Sequence, residues 1–218
     1  MDGLNLTYRL RTAFVVAVGT LALFGCAGLV PTEMAPKHTY LLEAQFDPVV
    51  QVQPIPLTLM VGPPRAASGF DTPGMAYVRQ PYALEYFAQS RWADAPAKMI
   101  APLLVRALEQ RSGFHAVTSA AGLVQGEMRL DIELLLLQQE FTTSPSRLHL
   151  RLRVQLVDLA NRRVLATQVF ETIEQAPSEN PYGGVVAANR ALQGSLAQIA
   201  DFAAIYGSTM RAPKKQRD

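Results

Sequence analysis

Three stretches in the second half of the chain alternate apolar and polar side chains with a period of two, and they restrict the fold to one built on a sheet. Within residues 127–137, Met128, Leu130, Ile132, Leu134 and Leu136 fall on one side, and Glu127, Arg129, Asp131 and Glu133 on the other. Residues 147–158 repeat the pattern, with Leu148, Leu150, Leu152, Val154 and Leu156 opposite His149, Arg151, Arg153 and Gln155. Residues 164–174 return it. Side chains point alternately to the two faces of a strand, so each segment carries one apolar face. Ser144-Pro145-Ser146 and Asn161-Arg162 supply the turns between them. The pattern predicts an antiparallel meander with one face on a core. The polar face of the first segment turns apolar at Leu135 and Leu137, which predicts cover there by another element or a partner.

Two helices bracket the meander. Ile100, Leu103, Leu104, Ala107 and Leu108 recur at spacings of three and four, with Asp94 as the expected N-cap and Gly113 as the stop. Pro102 predicts a kink or break in this helix, because it lacks an N–H and crowds the preceding turn. The second helix follows Asn180 and Pro181, with Val185, Ala188, Leu192, Leu196, Ile199, Ala203 and Tyr206 as its stripe and Gly207 as its end. Shorter strands are expected at residues 40–44, 57–61, 75–79, 82–92 and 115–118, with a loop at 65–74. In the fourth upstream strand Tyr82, Leu84, Tyr86, Ala88 and Trp92 share one side. The predicted fold is α+β, a mainly antiparallel sheet packed against two amphipathic helices in the order β-β-β-β-α-β-β-β-β-α.

Chemistry is sparse. A net charge of +2 gives no general field for nucleic acid. His38, His115 and His149 stand far apart without ligand spacing, so no metal is expected. Asp131 and Glu133 share a strand face, and ion pairing with Arg129, Arg151 or Arg153 accounts for them more simply than catalysis. Gly183-Gly184 opens a helix but lacks the strand and the lysine of a phosphate loop. No serine sits in a G-x-S-x-G elbow, and neither a catalytic residue nor a cofactor is expected. Tyr82, Tyr86 and Trp92 are expected to pack in a core or interface rather than stack on bases.

The amino-terminal stretch reads as export machinery. Arg9 and Arg11 precede an apolar run at residues 13–24, which is too short for a membrane span of roughly 17–25 residues. The run ends at Cys26, the one cysteine in the chain. Leu23-Phe24-Gly25-Cys26 resembles a bacterial lipobox, with Phe24 where a small residue is commoner. The resemblance implies removal of a signal peptide (residues 1–25) and a covalent lipid on Cys26; a retained anchor helix is the alternative. Residues 26–39 are then a lipidated tether, residues 40–207 the domain and residues 208–218 a basic tail. Ala27, where an aspartate would favour the inner membrane, resembles an outer-membrane address.

The segment 81–114 (PYALEYFAQSRWADAPAKMIAPLLVRALEQRSGF) carries a wider likeness. A Tyr-Leu-Leu start at Tyr40, Leu41 and Leu42 precedes it. Arg91 and Trp92 then stand before Asp94, Pro96 and a helix bearing Met99, Leu103 and Leu108. This resembles the auxiliary lipoproteins of ABC-type transporters, which include PqiC-like lipoproteins, over residues 38–207. The resemblance implies a non-enzymatic partner of an MCE-domain protein, with a permease and an ATPase in the same system. Such a system moves phospholipid or other hydrophobic cargo across the periplasm, and the lipoprotein docks it at the outer membrane. Tyr86, Phe87, Arg91 and Trp92 are the candidate partner surface. A lipid-binding carrier domain and a structural outer-membrane assembly lipoprotein are the alternatives. Radiolabelled palmitate is expected to mark the wild-type protein and not Cys26→Ser, and the variant should leave the membrane fraction on envelope fractionation.

Overall fold

The computed structural model describes residues 37–47, 53–119 and 125–210. The expectations for the leader, Cys26, most of the tether and the tail beyond Met210 lie outside these residues. The described chain forms a nine-stranded sheet and two helices. The strands are β1 (His38–Tyr40), β2 (Ile55–Val61), β3 (Arg65–Ala66), β4 (Gly74–Val78), β5 (Leu84–Trp92), β6 (Phe114–Ser119), β7 (Met128–Glu140), β8 (Arg147–Asp158) and β9 (Arg163–Gln175). Helix α1 (Pro96–Arg111) lies between β5 and β6, and α2 (Pro181–Thr209) closes the domain. The α+β class and the element order agree with the sequence pattern, with β3 inserted where a loop was expected.

The long meander forms as the alternation dictates. β7 pairs antiparallel with β8, and β8 with β9, over nearly their whole lengths. The other half of the sheet adds parallel ladders to the mainly antiparallel pairing that the sequence predicts. β2, β3 and β4 lie in succession along the second edge of β7, each parallel to it. β6 is parallel to β2 and β1 to β5, so the sheet is mixed. Parallel neighbours need a crossover of a dozen or more residues, and α1 lies in the long one that separates β2 from its parallel partner β6. Hairpin partners announce themselves through a short turn; these distant partners have no such local mark.

A register shift at Leu135 decides which leucines of β7 are buried. Leu134 pairs with Leu152 but Leu136 with Arg151, so one extra residue is accommodated on β7. Such a bulge switches the facing of all that follows. Leu137 is therefore buried and Leu136 only half-buried, the reverse of the simple alternation. The apolar turn of the polar face thus needs no external cover at Leu137. Gln139 follows Leu137 inward and is buried, its Nε2 donating to Ser146 Oγ at 3.0 Å.

α1 runs unbroken through Pro102. Pro102 and Lys98, whose carbonyl loses its helical donor, both lie on the exposed side, where water replaces that bond. The N-cap is Ala95 rather than Asp94. Pro96 takes the first helical position and holds the preceding residue extended. Asp94 instead accepts the Ala95 N–H at 2.7 Å, which lowers its pKa, and approaches Lys98 at 3.5 Å. Gly113, at φ +75°, stops the helix as expected. In α2 the Asn180 side chain accepts the Gly183 N–H at 2.9 Å, the expected cap. The helix runs past Gly207 to Thr209; Gly207 is needed inside it because a Cβ there would stand 2.6 Å from the Phe114 ring.

Both apolar stripes meet one core with the inward leucines of β7 and β8. Phe170 and Phe202 tie β9 to α2 edge to face, with centroids 5.6 Å apart. Residues 41–47 keep a strand-like alternation, with Leu42 and Ala44 buried, yet they form no ladder. The Glu43 N–H donates instead to Asn189 Oδ1 of α2 at 3.1 Å, which is why the strand expected at 40–44 is displaced to β1.

The β8–β9 turn is pinned by Asp158. Its carboxylate accepts from the Asn161 amide at 2.7 Å and from the Asn161 N–H at 3.0 Å, and these bonds lower its pKa. A depressed carboxyl stabilises the fold above its unfolded value of about 3.9 and loses that contribution as pH falls through its folded value. Asp158→Asn is therefore expected to lower the urea midpoint at pH 7, with the difference from wild type shrinking on acidification below about pH 4.

Candidate functional surface

β5 carries the candidate partner residues, and a distortion in it sets where they point. Gly74 of β4 pairs with Arg91, but Ala76 pairs with Tyr86, so residues 87–90 of β5 stand opposite a single residue of β4. The bulge reverses the inward parity along the strand. Trp92 is 3% exposed and Tyr86 is 42% exposed, although both are even-numbered. Phe87 and Trp92 border the same small internal cavity of about 10 Å³, beside Gln139 and Gly184. The four sequence candidates therefore divide. Tyr86 and Arg91 are at the surface, Phe87 is half-buried beneath it, and Trp92 belongs to the core. Uninterrupted alternation would place Tyr86 and Trp92 together, and nothing in the sequence marks the bulge.

Tyr86 is held in place. Its hydroxyl donates to the Gly69 carbonyl at 2.8 Å, and its ring covers Gly74, where a Cβ would stand 2.7 Å from Cδ1. Phe87 packs on Tyr77, with centroids 4.4 Å apart, and meets Phe141 edge-on. Glu85, near the start of β5, accepts from Arg79 and from the Tyr77 hydroxyl, the latter at 3.0 Å. The Arg79 bonds first, and then that of Tyr77, lower its pKa. Arg91 Nε donates to the Trp92 carbonyl at 3.3 Å.

The sheet face turned away from the helices pairs its own charges. Arg129 meets Asp131 at 2.9 Å and Arg153 meets Glu133 at 3.5 Å, as the strand spacing implied. His149 lies between Glu140, 2.9 Å from Nδ1, and Glu171, 2.6 Å from Nε2. Neither acid is near it in sequence; β7 and β9 supply them from the two sides, so spacing along the chain could not show it. Among the described residues no group of three His, Cys, Asp or Glu side chains is placed to hold a metal. No described helix is long and apolar enough to cross a membrane.

Gly183 and Gly184 have a packing role. A Cβ at Gly183 would strike the Ser178 carbonyl, and one at Gly184 would strike Gln139 Oε1. Two glycines let the first turn of α2 close on the Pro177–Asn180 connection and on β7.

The described residues thus form an α+β domain, a mixed sheet with both helices packed into one core and an outer face that pairs its charges internally. The family model for the ABC-type transport auxiliary lipoprotein component matches residues 40–200, and the chain belongs to that family. The fold is similar to the crystal structure of protein XCC0632 from Xanthomonas campestris, with TM-score 0.71 and 20% identity over 78% of this chain and 96% of that one. It is also similar to the crystal structure of an uncharacterized protein, with TM-score 0.62 and 12% identity over 77% of this chain and 98% of that one. At these identities the likeness concerns the fold. No curated protein matches the chain.

Gly183→Ala is expected to destabilise the fold by about 1–3 kcal/mol, because backbone must move to admit the methyl. Gly194→Ala, in the same helix with nothing within 4 Å of its Cβ, should stabilise it by about 0.5–1 kcal/mol. Urea unfolding of both variants reads the contrast.

Proposed function

We propose that the protein is a non-enzymatic docking component of an ABC-type, MCE-domain-linked system that carries lipid or another hydrophobic solute between membranes. The observation that carries this reading is the family match over residues 40–200, which takes in the whole of α1, the whole meander and the apolar stripe of α2 as far as Ile199. In this reading the lipid on Cys26 holds the domain at the periplasmic face of the outer membrane. The domain then receives the MCE-domain substrate-binding protein, whose system includes a permease and an ATPase. Tyr86 and Arg91 are the surface contacts, because both are accessible while Tyr86 is already fixed by Gly69. A preset aromatic loses little freedom on association, and aromatic and arginine side chains are favoured anchors. Phe87 and Trp92 act from beneath, setting the level of the strand.

The carrier alternative needs a chamber for an acyl chain between helices and sheet. The cavity beside Trp92, about 10 Å³, is too small for one, so helix and sheet would have to separate to admit it. The packed core favours docking over carriage.

Affinity capture of the full-length lipoprotein from detergent-solubilised envelope tests the proposal. An MCE-domain protein should co-purify with the wild type. Tyr86→Ala with Arg91→Ala should reduce its recovery at least tenfold, or about 1.4 kcal/mol, with unchanged circular dichroism. Recovery of a β-barrel protein in its place would favour the assembly alternative and sink this one.

A further inference from the structure

A groove of about 480 Å³ opens where β1, residues 87–90 of β5 and the start of α2 meet. Four rings line it, those of His38, Tyr40, Phe87 and Tyr182. His38 and Tyr40 stack with centroids 6.3 Å apart, and Tyr40 stands 6.3 Å from Tyr182. Tyr182 is 60% exposed, a large aromatic surface left in water at the first turn of a well-capped helix. Polar groups stand beside the rings, from Gln89, Ser90 and Asn180. No Lys, Arg, Asp or Glu lines the groove.

The backbone adds to this. β1 covers only Ser90, Arg91 and Trp92 of β5, and β4 pairs with Tyr86 and Arg91 on either side of the bulge. Phe87, Ala88 and Gln89 therefore lack a cross-strand partner in both ladders. Bulges are over-represented beside binding and active sites, where they re-aim side chains.

These features select among ligand classes. Phosphate headgroups and nucleic acids are met by cations, and none is present here. An acyl chain needs enclosure, and this groove is shallow and open. An added strand needs an even edge, and the register jump of β5 spoils it. Flat apolar rings bordered by uncharged amides and hydroxyls suit a ligand with an apolar face and a rim of hydroxyl groups. We propose that this groove binds a neutral oligosaccharide, with Tyr182 as the stacking platform. The groove shares Phe87 with the docking surface proposed above, but Tyr182 lies outside that surface, so the proposal does not depend on it.

Isothermal titration of the full-length protein, in a detergent without a sugar headgroup, tests this with chitotetraose and maltotetraose. At least one should bind saturably, with Kd on the order of 1 mM or tighter. Tyr182→Ala should weaken that binding at least tenfold. Ile205→Ala, an exposed apolar change 23 residues further along α2, should leave it unchanged. Absence of saturable binding by both sugars overturns the proposal. So does sugar binding that survives Tyr182→Ala. Loss of binding to phosphatidylglycerol vesicles in Tyr182→Ala, with neither sugar bound by wild type, would make the groove a membrane contact instead.

Discussion

The register of β7 is the constraint on which the domain depends. β7 is the strand shared by both halves of the sheet. β8 runs along one edge, and β2, β3 and β4 follow one another along the other. A slip of one residue would carry Leu130, Ile132 and Leu134 into water and Asp131 and Glu133 into the core. The cost of burying those carboxylates makes the register effectively unique. The bulge at Leu135 then lets one strand serve two facings. Its first part presents Met128 to Leu134 to the core, and its last part presents Leu137 and Gln139, against which α2 starts.

What the sequence disclosed follows the range of the interactions. Alternation in residues 147–158 placed Leu148 to Leu156 correctly, because each side chain's facing is set by its own strand. The Asn180 cap and the stripe from Val185 to Ala203 were legible for the same reason. The parallel ladders were not. Leu59 meets Met128, and Arg65 meets Glu133, across more than sixty residues that bear no mark of the pairing. Single inserted residues escaped as well, since a bulge is a failure of alternation that looks like noise in a run such as Leu134–Leu137. The surface candidates suffered most from this. The β5 bulge separates Tyr86 from Trp92, and His149 acquires two acidic neighbours only when three strands come together.

The division of labour between the two sheet faces also follows. One face holds the helices through aliphatic packing, which supplies most of the stabilisation available to a domain of this size. The other satisfies its charges internally, through Arg129 with Asp131 and Arg153 with Glu133. Exposed pairs of this kind add little stability, but they leave little unbalanced charge to attract a charged ligand. The chain belongs to the family of ABC-type transport auxiliary lipoprotein components.

The placement of β1 has a mechanical consequence. It is three residues long and is the first ladder met by any pull arriving from the amino-terminal side. Behind it stand Leu42 and Ala44, sunk in the core, and the Glu43 amide tied to Asn189. Under load, β1 can peel from β5 and free about 10 Å of chain, at roughly 3.3–3.6 Å per residue, before Leu42 and Ala44 are drawn from the core. The described domain thus has slack at its amino-terminal entry, so that a moderate pull arriving there need not strain the fold.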